Sequence, residues 1–88
     1  TAIDSSPTVD RELALIKVNV TPGTRLEIME IANVFRANVV DLTEKTMTLE
    51  VTGKGEKVDA FVQLLVKYGI REVARTGQVT LVRGAQAT

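Results

Sequence analysis

A strict two-residue alternation over residues 11 to 20 is the feature that most limits how this chain can fold. One face of the segment is entirely apolar: Ala14, Ile16, Val18 and Val20. The other face is mixed: Leu13, Leu15, Lys17 and Asn19. Since successive side chains of a β-strand point to opposite sides, this period predicts a strand whose apolar face packs on a core. A strand of this kind needs a second layer of structure to cover that face.

The first helix is predicted to begin just after the break "TPG". Thr24 is followed three residues later by Glu27, which is the signature of a capping box. The apolar stripe that follows has helical spacing: Ile28, Ile31, Ala32 and Phe35. Three apolar residues lie outside the stripe: Leu26, Met29 and Val34. They are either ordinary surface residues or part of a protein interface.

A hairpin and a second helix are predicted next. Residues 38–42 and 46–52 are β-rich runs divided by "TEK", which is typical of two strands joined by a short turn. Residues 56–68 then have helical periodicity, and Gly69 stands where a left-handed C-terminal cap belongs. The buried arc of this helix is predicted to hold five residues: Val58, Phe61, Val62, Leu65 and Tyr68.

Residues 70–83 contain two more strand-like runs, separated by Thr76 and Gly77. This spacing predicts a hairpin with a two-residue turn in which Gly77 adopts a positive φ. A tight turn would place four residues inward together: Ile70, Ala74, Val79 and Leu81. Glu72 would then face inward too, and a carboxylate on a core face is costly unless it is paired. Either a bulge turns Glu72 out, or an arginine, Arg36 or Arg83, pairs with it.

The order of these elements predicts an α+β fold. Strand, helix, strand, strand, helix, strand is the βαββαβ pattern of the ferredoxin-like two-layer sandwich, here with an added C-terminal strand. We assign residues 10–84 to this domain, residues 1–9 to a linker or disordered N-terminus, and residues 85–88 to a disordered tail. The polar opening residues, which lack an initiating methionine, indicate a fragment of a longer protein.

The composition excludes several classes of function. The chain has no cysteine and no histidine, which removes disulfides, thiolate and imidazole catalysis, and most transition-metal sites. Eleven basic residues balance eleven acidic ones, so no net field favours nucleic acid or anionic lipid as a partner. No apolar run approaches the roughly 20 residues that span a bilayer. We therefore expect a soluble, intracellular protein with no membrane or nucleic-acid partner.

Motifs for catalysis are weak throughout the chain. The segment "GKGEK" lacks most of a phosphate-binding loop, and the aromatic residues are predicted to face inward from helices rather than to stack RNA bases. The carboxylate pairs lie on solvent-facing helix and turn positions, with no burial to raise a pKa. The sequence therefore predicts a protein that is not an enzyme and that holds no cofactor or metal of its own.

Three stretches of the sequence carry a family resemblance: residues 11–18, 27–61 and 68–84. The segments "FRANVVD", "YGIREVARTG" and the closing "VRG", in that order and spacing, resemble the C-terminal domain of the small, regulatory subunit of acetolactate synthase, also called acetohydroxyacid synthase. In that family a separate ACT domain, which binds branched-chain amino acids, precedes this one. None of it lies in these 88 residues.

The resemblance implies a regulatory module without catalytic activity. It implies a partner, the catalytic subunit, which would hold thiamine diphosphate, magnesium and FAD. It also implies a dimeric regulatory subunit that activates the enzyme and supports feedback control of branched-chain amino acid synthesis. The expected location is the cytoplasm, or the plastid in a plant. The alternatives are a stand-alone ferredoxin-like module for small-ligand sensing and one for dimerisation alone.

The contact with a catalytic subunit is predicted from the residues alone. An exposed, arginine-bearing turn is a plausible interface anchor, because arginine is enriched among the residues that dominate binding. The candidates are Arg36, Arg71, Arg75, Thr76 and Gly77. The alternative is a solvated turn with no partner. Homodimerisation is expected separately, because a lone two-layer domain leaves five apolar residues uncovered: Leu13, Leu15, Leu26, Met29 and Val34.

Overall fold

A computed structural model describes residues 8–84 as an antiparallel sheet covered on one side by two α-helices. The elements follow in the order β1 (Thr8–Asn19), α1 (Arg25–Val34), β2 (Asn38–Leu42), β3 (Thr46–Gly53), α2 (Gly55–Leu65), a 3₁₀ turn (Val66–Tyr68), β4 (Ile70–Arg75) and β5 (Val79–Val82). The sheet order is β2-β3-β1-β4, with β5 also paired to β1. This arrangement confirms the ferredoxin-like α+β fold with an added strand.

The N-terminal boundary differs from the predicted one. β1 begins at Thr8, so residues 8 and 9 are strand and not linker. Both are paired across the sheet, Thr8 with Val82 and Val9 with Leu81. The predicted disorder of residues 1–7 and 85–88 concerns positions outside the described residues.

The core lies between the sheet and the helices, where the two predicted periodicities meet. It consists of alternate residues of β1 and β3 and the inner stripes of α1 and α2: Ala14, Ile16, Val18, Val20, Ile28, Ala32, Met47, Leu49, Val51, Val58, Phe61 and Leu65. The rings of Phe35 and Phe61 lie 5.1 Å apart between centroids. Phe35, Val62 and Tyr68 are only partly buried and pack against this cluster. The predicted helix faces are therefore confirmed.

The start of α1 corrects the predicted capping box. Thr24 is the N-cap residue, but its hydroxyl makes no capping bond to the helix. It instead accepts a hydrogen bond from the backbone N–H of Thr21, at 2.9 Å, and the hydroxyl of Thr21 accepts one from the N–H of Thr24, at 3.2 Å. The Glu27 carboxylate has a different partner from the one predicted: it accepts a hydrogen bond from the Tyr68 hydroxyl at 3.0 Å. Glu27 thus ties α1 to the 3₁₀ turn.

The C-terminal strands correct the predicted hairpin. β4 and β5 do not pair with each other. Instead both pair with β1, β4 along its second half and β5 along its first. Arg11 and Ala14 are three residues apart on β1, while the residues that pair with them, Val79 and Arg75, are four residues apart. Residues 76–78 therefore form a bulge in one long edge strand, not a turn. Val79 and Leu81 are consequently exposed rather than inward.

Glu72 faces away from the helices, as the bulge alternative predicted. It pairs with Lys17 across the sheet, and the register shifts just beyond this pair, where Val18 is opposite Ile70. The carboxylate lies 3.0 Å from the Lys17 ammonium, so neither Arg36 nor Arg83 is its partner. Ala74 pairs with Leu15 and so lies on this outer face too, not on the predicted inner one. Gly69 has the predicted positive φ, +93°, but it follows the 3₁₀ turn rather than the α-helix itself.

The C-terminus of α1 has an unusual residue in its cap. Arg36 has φ +57°, a left-handed conformation that residues other than glycine seldom adopt. The N–H of Arg36 donates to the carbonyl of Asn33, and the N–H of Ala37 donates to the carbonyl of Ala32, at 2.8 Å. This pair of bonds is the Schellman motif, which is found most often with glycine at the left-handed position. The backbone of Arg36 is therefore strained.

Replacing Arg36 by glycine should stabilise the domain. The left-handed conformation costs an L-residue about 1 to 2 kcal/mol, and the greater flexibility of glycine in the unfolded chain offsets part of the gain. We expect Arg36→Gly to raise the free energy of unfolding by about 0.5 to 1 kcal/mol in urea denaturation. Arg36→Ala is the matched control, because it removes the same side chain but keeps the strain. Equal stabilities of the two variants would contradict this account of the cap.

Candidate partner interface

The five candidate interface residues lie in two separate parts of the molecule. Arg71, Arg75, Thr76 and Gly77 follow one another along the edge formed by β4, the bulge and β5. Arg36 lies in the connection between α1 and β2. No hydrogen bond or ion pair between residues 8 and 84 joins Arg36 to the other four. The structure therefore does not bring the five together as one site, and their role in a contact remains a prediction.

Arg75 has a structural role that the sequence did not reveal. It is paired with Ala14, which places its side chain on the helix face of the sheet. There its Nε donates to Glu12 Oε1 at 2.5 Å, and its Nη1 donates to Asp59 Oδ1 of α2 at 2.7 Å. Arg75 thus bridges β4, β1 and α2. The sequence identified Arg75 only as an interface candidate, because the register with β1, which decides where its side chain points, cannot be read from a local pattern.

The charges in this bridge depend on one another. The side chain of Glu12 is only 10% exposed, and a buried carboxylate without a partner is strongly unfavourable. Hydrogen bonds to Asp59 and to Glu12 raise the pKa of the Arg75 guanidinium above its ordinary value. The Arg75 guanidinium therefore stays charged and provides the partner that the buried Glu12 carboxylate requires.

Thr76 and Gly77 form the bulge that joins β4 to β5. The backbone N–H of Thr76 donates to the carbonyl of Leu13 at 3.0 Å, as in an ordinary strand. The N–H of Leu13 donates to the Thr76 hydroxyl at 3.1 Å. Gly77 has φ +78°, and a Cβ built on it would meet no atom within 4 Å. Backbone conformation, and not space, therefore favours glycine at this position.

Arg71 is an exposed arginine of this edge with a defined side-chain contact. It lies at the register shift near the start of β4, and its Nη1 donates to Asn19 Oδ1 at 3.1 Å. It forms no ion pair among residues 8–84. Its guanidinium therefore retains donors that can bind a carboxylate or a carbonyl of another chain.

The outer edge, which we define as the free side of residues 70–82, is open to strand pairing. Within the described part of the chain, β4 and β5 pair only with β1, so their other side has no strand beside it. Exposed apolar residues flank this edge: Val73, Val79, Leu81 and Val82. An unpaired edge of this length can bind an extended segment of another chain. The predicted hairpin concealed this surface, since it would have paired β5 with β4.

A second apolar surface lies on the helical layer. The off-stripe residues of α1 are exposed as predicted: Leu26, Met29 and Val34. Leu15 is partly exposed on the opposite face of the sheet, while Leu13 is half-buried. The apolar residues that suggested self-association therefore face two directions, and one symmetric interface does not cover them all.

Neither a candidate metal centre nor a membrane-spanning helix is found among the described residues. No group of three or more histidine, cysteine, aspartate or glutamate residues within 8–84 is arranged to hold a metal ion. In the same part of the chain, no helix is long and apolar enough to cross a membrane. What the surface does offer is an unpaired strand edge, apolar flanks and an accessible arginine, which suit the binding of a protein.

Removing the side-chain bridge that Arg75 forms to Glu12 and Asp59 should lower the thermal stability of the domain. Arg75→Met leaves the buried Glu12 without a partner, so we expect a clearly lower thermal midpoint. The control is Arg71→Met, which removes an exposed arginine of the same edge and should change the midpoint little. Pairing Arg75→Met with Glu12→Gln should recover part of the loss, because no buried charge then remains. If Arg75→Met and Arg71→Met were equally mild, the bridge would contribute nothing to folding.

Comparison with known proteins relates the chain to one family. The sequence model of the family described as "Small subunit of acetolactate synthase" matches residues 11–84. An Archaeoglobus fulgidus protein named "Probable acetolactate synthase small subunit" is 51% identical over 76 residues, which is 86% of this chain and 48% of that protein. The acetolactate synthase small subunit of Bacillus subtilis is 48% identical over 86 residues, 98% of this chain and 50% of that protein. The chain thus spans about half the length of these relatives.

Solved structures agree with this relationship. The small subunit of acetolactate synthase from Thermotoga maritima superposes with a TM-score of 0.83 and 34% identity, over 98% of this chain and 52% of that one. The ACT domain of a GTP pyrophosphokinase from Chlorobium tepidum superposes with a TM-score of 0.50 at 15% identity, covering 80% of this chain and 88% of that one. The second likeness concerns the fold alone.

Proposed function

Because the chain belongs to the small-subunit family of acetolactate synthase, we propose that it is a regulatory domain that binds the catalytic subunit of that enzyme. The observation that carries the proposal is the family match over residues 11–84, nearly all of the described structure. The alternative of a stand-alone ligand-sensing or dimerisation module is not favoured, because the match names a subunit of a larger enzyme.

In this proposal the domain contributes binding and not catalysis. Acetolactate synthesis, with its thiamine diphosphate, belongs to the catalytic subunit, and the domain supports activation and feedback control of branched-chain amino acid synthesis. The ACT domain that the family resemblance expects to bind valine is not among these residues, so valine should not change the affinity of this domain for the catalytic subunit. The setting is the cytoplasm in a prokaryote or the plastid in a plant. One relative, from Arabidopsis thaliana, is named as chloroplastic and is 48% identical over 81 residues.

The outer edge is the surface we assign to the catalytic subunit. Its backbone N–H and C=O groups can extend the sheet by pairing with a strand of the partner, which gives affinity without further rearrangement. Leu81 is the most exposed apolar residue of this edge, at 69%. Arg71 lies at the other end of the edge and can supply charge-assisted hydrogen bonds. The contact therefore combines backbone pairing, an apolar anchor and a cation.

The apolar surface of α1 is assigned to self-association. Leu26 is 70% exposed, and Met29 and Val34 lie on the same helix. A two-fold contact between copies of α1 would cover each of these residues in both chains at once. Since the outer edge lies elsewhere, a dimer formed in this way leaves it free for the catalytic subunit.

Two leucines of nearly equal exposure allow a matched test of both assignments. Leu81→Asp places a charge on the outer edge and should weaken binding to the purified catalytic subunit at least tenfold, about 1.4 kcal/mol, in a calorimetric titration. Leu26→Asp should leave that affinity unchanged but abolish the dimer in sedimentation equilibrium. Far-ultraviolet circular dichroism checks that both variants fold.

The outcomes separate the parts of the proposal. Failure of the wild-type chain to bind the catalytic subunit would contradict the proposed function itself. Binding by Leu81→Asp with wild-type affinity would contradict only the assignment to the outer edge. A dimer that persists in Leu26→Asp would remove the assignment of α1.

A further inference from the structure

A positively charged cleft lies where β3 passes into α2. It is lined by four cationic residues, a threonine and a glycine: Arg11, Arg36, Lys54, Lys57, Thr52 and Gly53. Its volume is about 500 Å³, and no carboxylate lines it. The whole chain has equal numbers of acidic and basic residues, so this cluster does not follow from a basic composition.

The fold brings the four cations together from separate elements. Glu12 is opposite Gly53 in the last pair between β1 and β3, so Arg11 and Lys54 are the next residues beyond the same point of the sheet. Lys57 crosses directly over Gly53, where a Cβ would lie 2.6 Å from the Lys57 Cδ. Glycine is therefore required there for the lysine side chain to keep this path.

The cations of the cleft lack ion-pair partners within residues 8–84. The ion pairs of that region are Lys17 with Glu72, and Arg75 with both Glu12 and Asp59. Asp10 and Glu56 line an adjoining cleft that shares Arg11 and Lys54, but neither forms an ion pair with them. Like charges held around one cavity repel each other, and an anion in the cavity would relieve that repulsion.

The backbone of Arg36 gives a second reason to infer a function here. Arg36 is the one described residue other than glycine with a positive φ, and the position is one that glycine would fill with less strain. Strained backbone is retained most often where a side chain has a task. The Arg36 side chain, which glycine would remove, is one of the cations of the cleft.

We propose that this cleft binds a small molecule that carries two or more phosphate groups. Four cations are balanced only by a multiply charged ligand, and arginine matches the geometry of phosphate oxygens with paired donors. A single carboxylate carries too little charge. The volume also falls in the range of small-molecule sites, about 300 to 1,000 Å³. The proposal is independent of the regulatory role, since it requires no catalytic subunit.

The test is calorimetric titration of the chain with pyrophosphate. We expect one site per chain with a dissociation constant below about 1 mM at low salt, and weaker binding when sodium chloride is raised. Lys57→Gln and Arg36→Gly should each weaken binding at least tenfold, while Arg36→Lys, which keeps the charge but not the paired donors, should have an affinity between those of Arg36→Gly and the wild type. Lys67→Gln, in the 3₁₀ turn that follows α2, is the matched control and should bind as the wild type does. Arg36→Gly is the sharpest variant, because it should bind more weakly while raising the thermal midpoint.

Three results would overturn the proposal. One is no heat of binding at millimolar pyrophosphate with the folded wild-type chain. Another is equal weakening by Lys67→Gln and Lys57→Gln, which would mean a diffuse attraction to surface charge. The third is that the wild-type chain does not bind pyrophosphate while the cleft variants lose affinity for the catalytic subunit. The cleft would then be a docking surface for an acidic protein. The first two results leave the proposed regulatory function untouched.

Discussion

The hydrogen-bond ladder of β1 is the element on which the rest of the structure depends. Its twelve residues pair with β3 on one side and with β4 and β5 on the other, so β2 is the one described strand that does not pair with β1. The inner face of the same strand supplies Ala14, Ile16 and Val18 to the core. Loss of β1 would therefore remove both the centre of the sheet and the surface on which the helices pack.

The side-chain bridge of Arg75 lies where the pairing of β1 with β4 ends and its pairing with β5 begins. Arg75 ends β4, and its bonds to Glu12 and Asp59 join the edge strand, the central strand and α2. Beyond it β1 pairs with β5, whose four residues are all exposed, and a two-stranded ribbon is marginally stable alone. The same ribbon carries three exposed apolar residues of the outer edge: Val79, Leu81 and Val82. We expect stability to fall along the ribbon, which suits a surface that orders fully on binding a partner.

The sequence predicted the parts of the fold that periodicity determines. β1, α1, β3 and α2 each bury one face, and burial imposes a period that can be read directly. Thr76 and Gly77 could not be interpreted in this way, because a glycine with positive φ suits a hairpin turn and a bulge equally. The distinction depends on Thr8 and Val9, which the polar N-terminal composition placed in a linker. A local pattern cannot show that a distant segment supplies the pairing partner.

The candidate site was less predictable than the fold. The arginines of the edge were identified as notable, but the register that turns Arg75 toward Glu12 is a property of the whole sheet. The basic cleft had no contiguous motif in the sequence, since its four cations come from positions 11, 36, 54 and 57. The one local sign was Arg36, which stands at the helix end where glycine is common.

The continuity of the edge strand along β1 is the central claim, and nuclear Overhauser effects between backbone protons test it most directly. Our account predicts cross-strand effects between Val9 and Leu81 and between Arg11 and Val79, together with those between Leu15 and Ala74. Effects between β4 and β5, such as Ala74 with Val79, would instead show that the chain folds back at Thr76 and Gly77. That result would contradict the outer edge as a free surface.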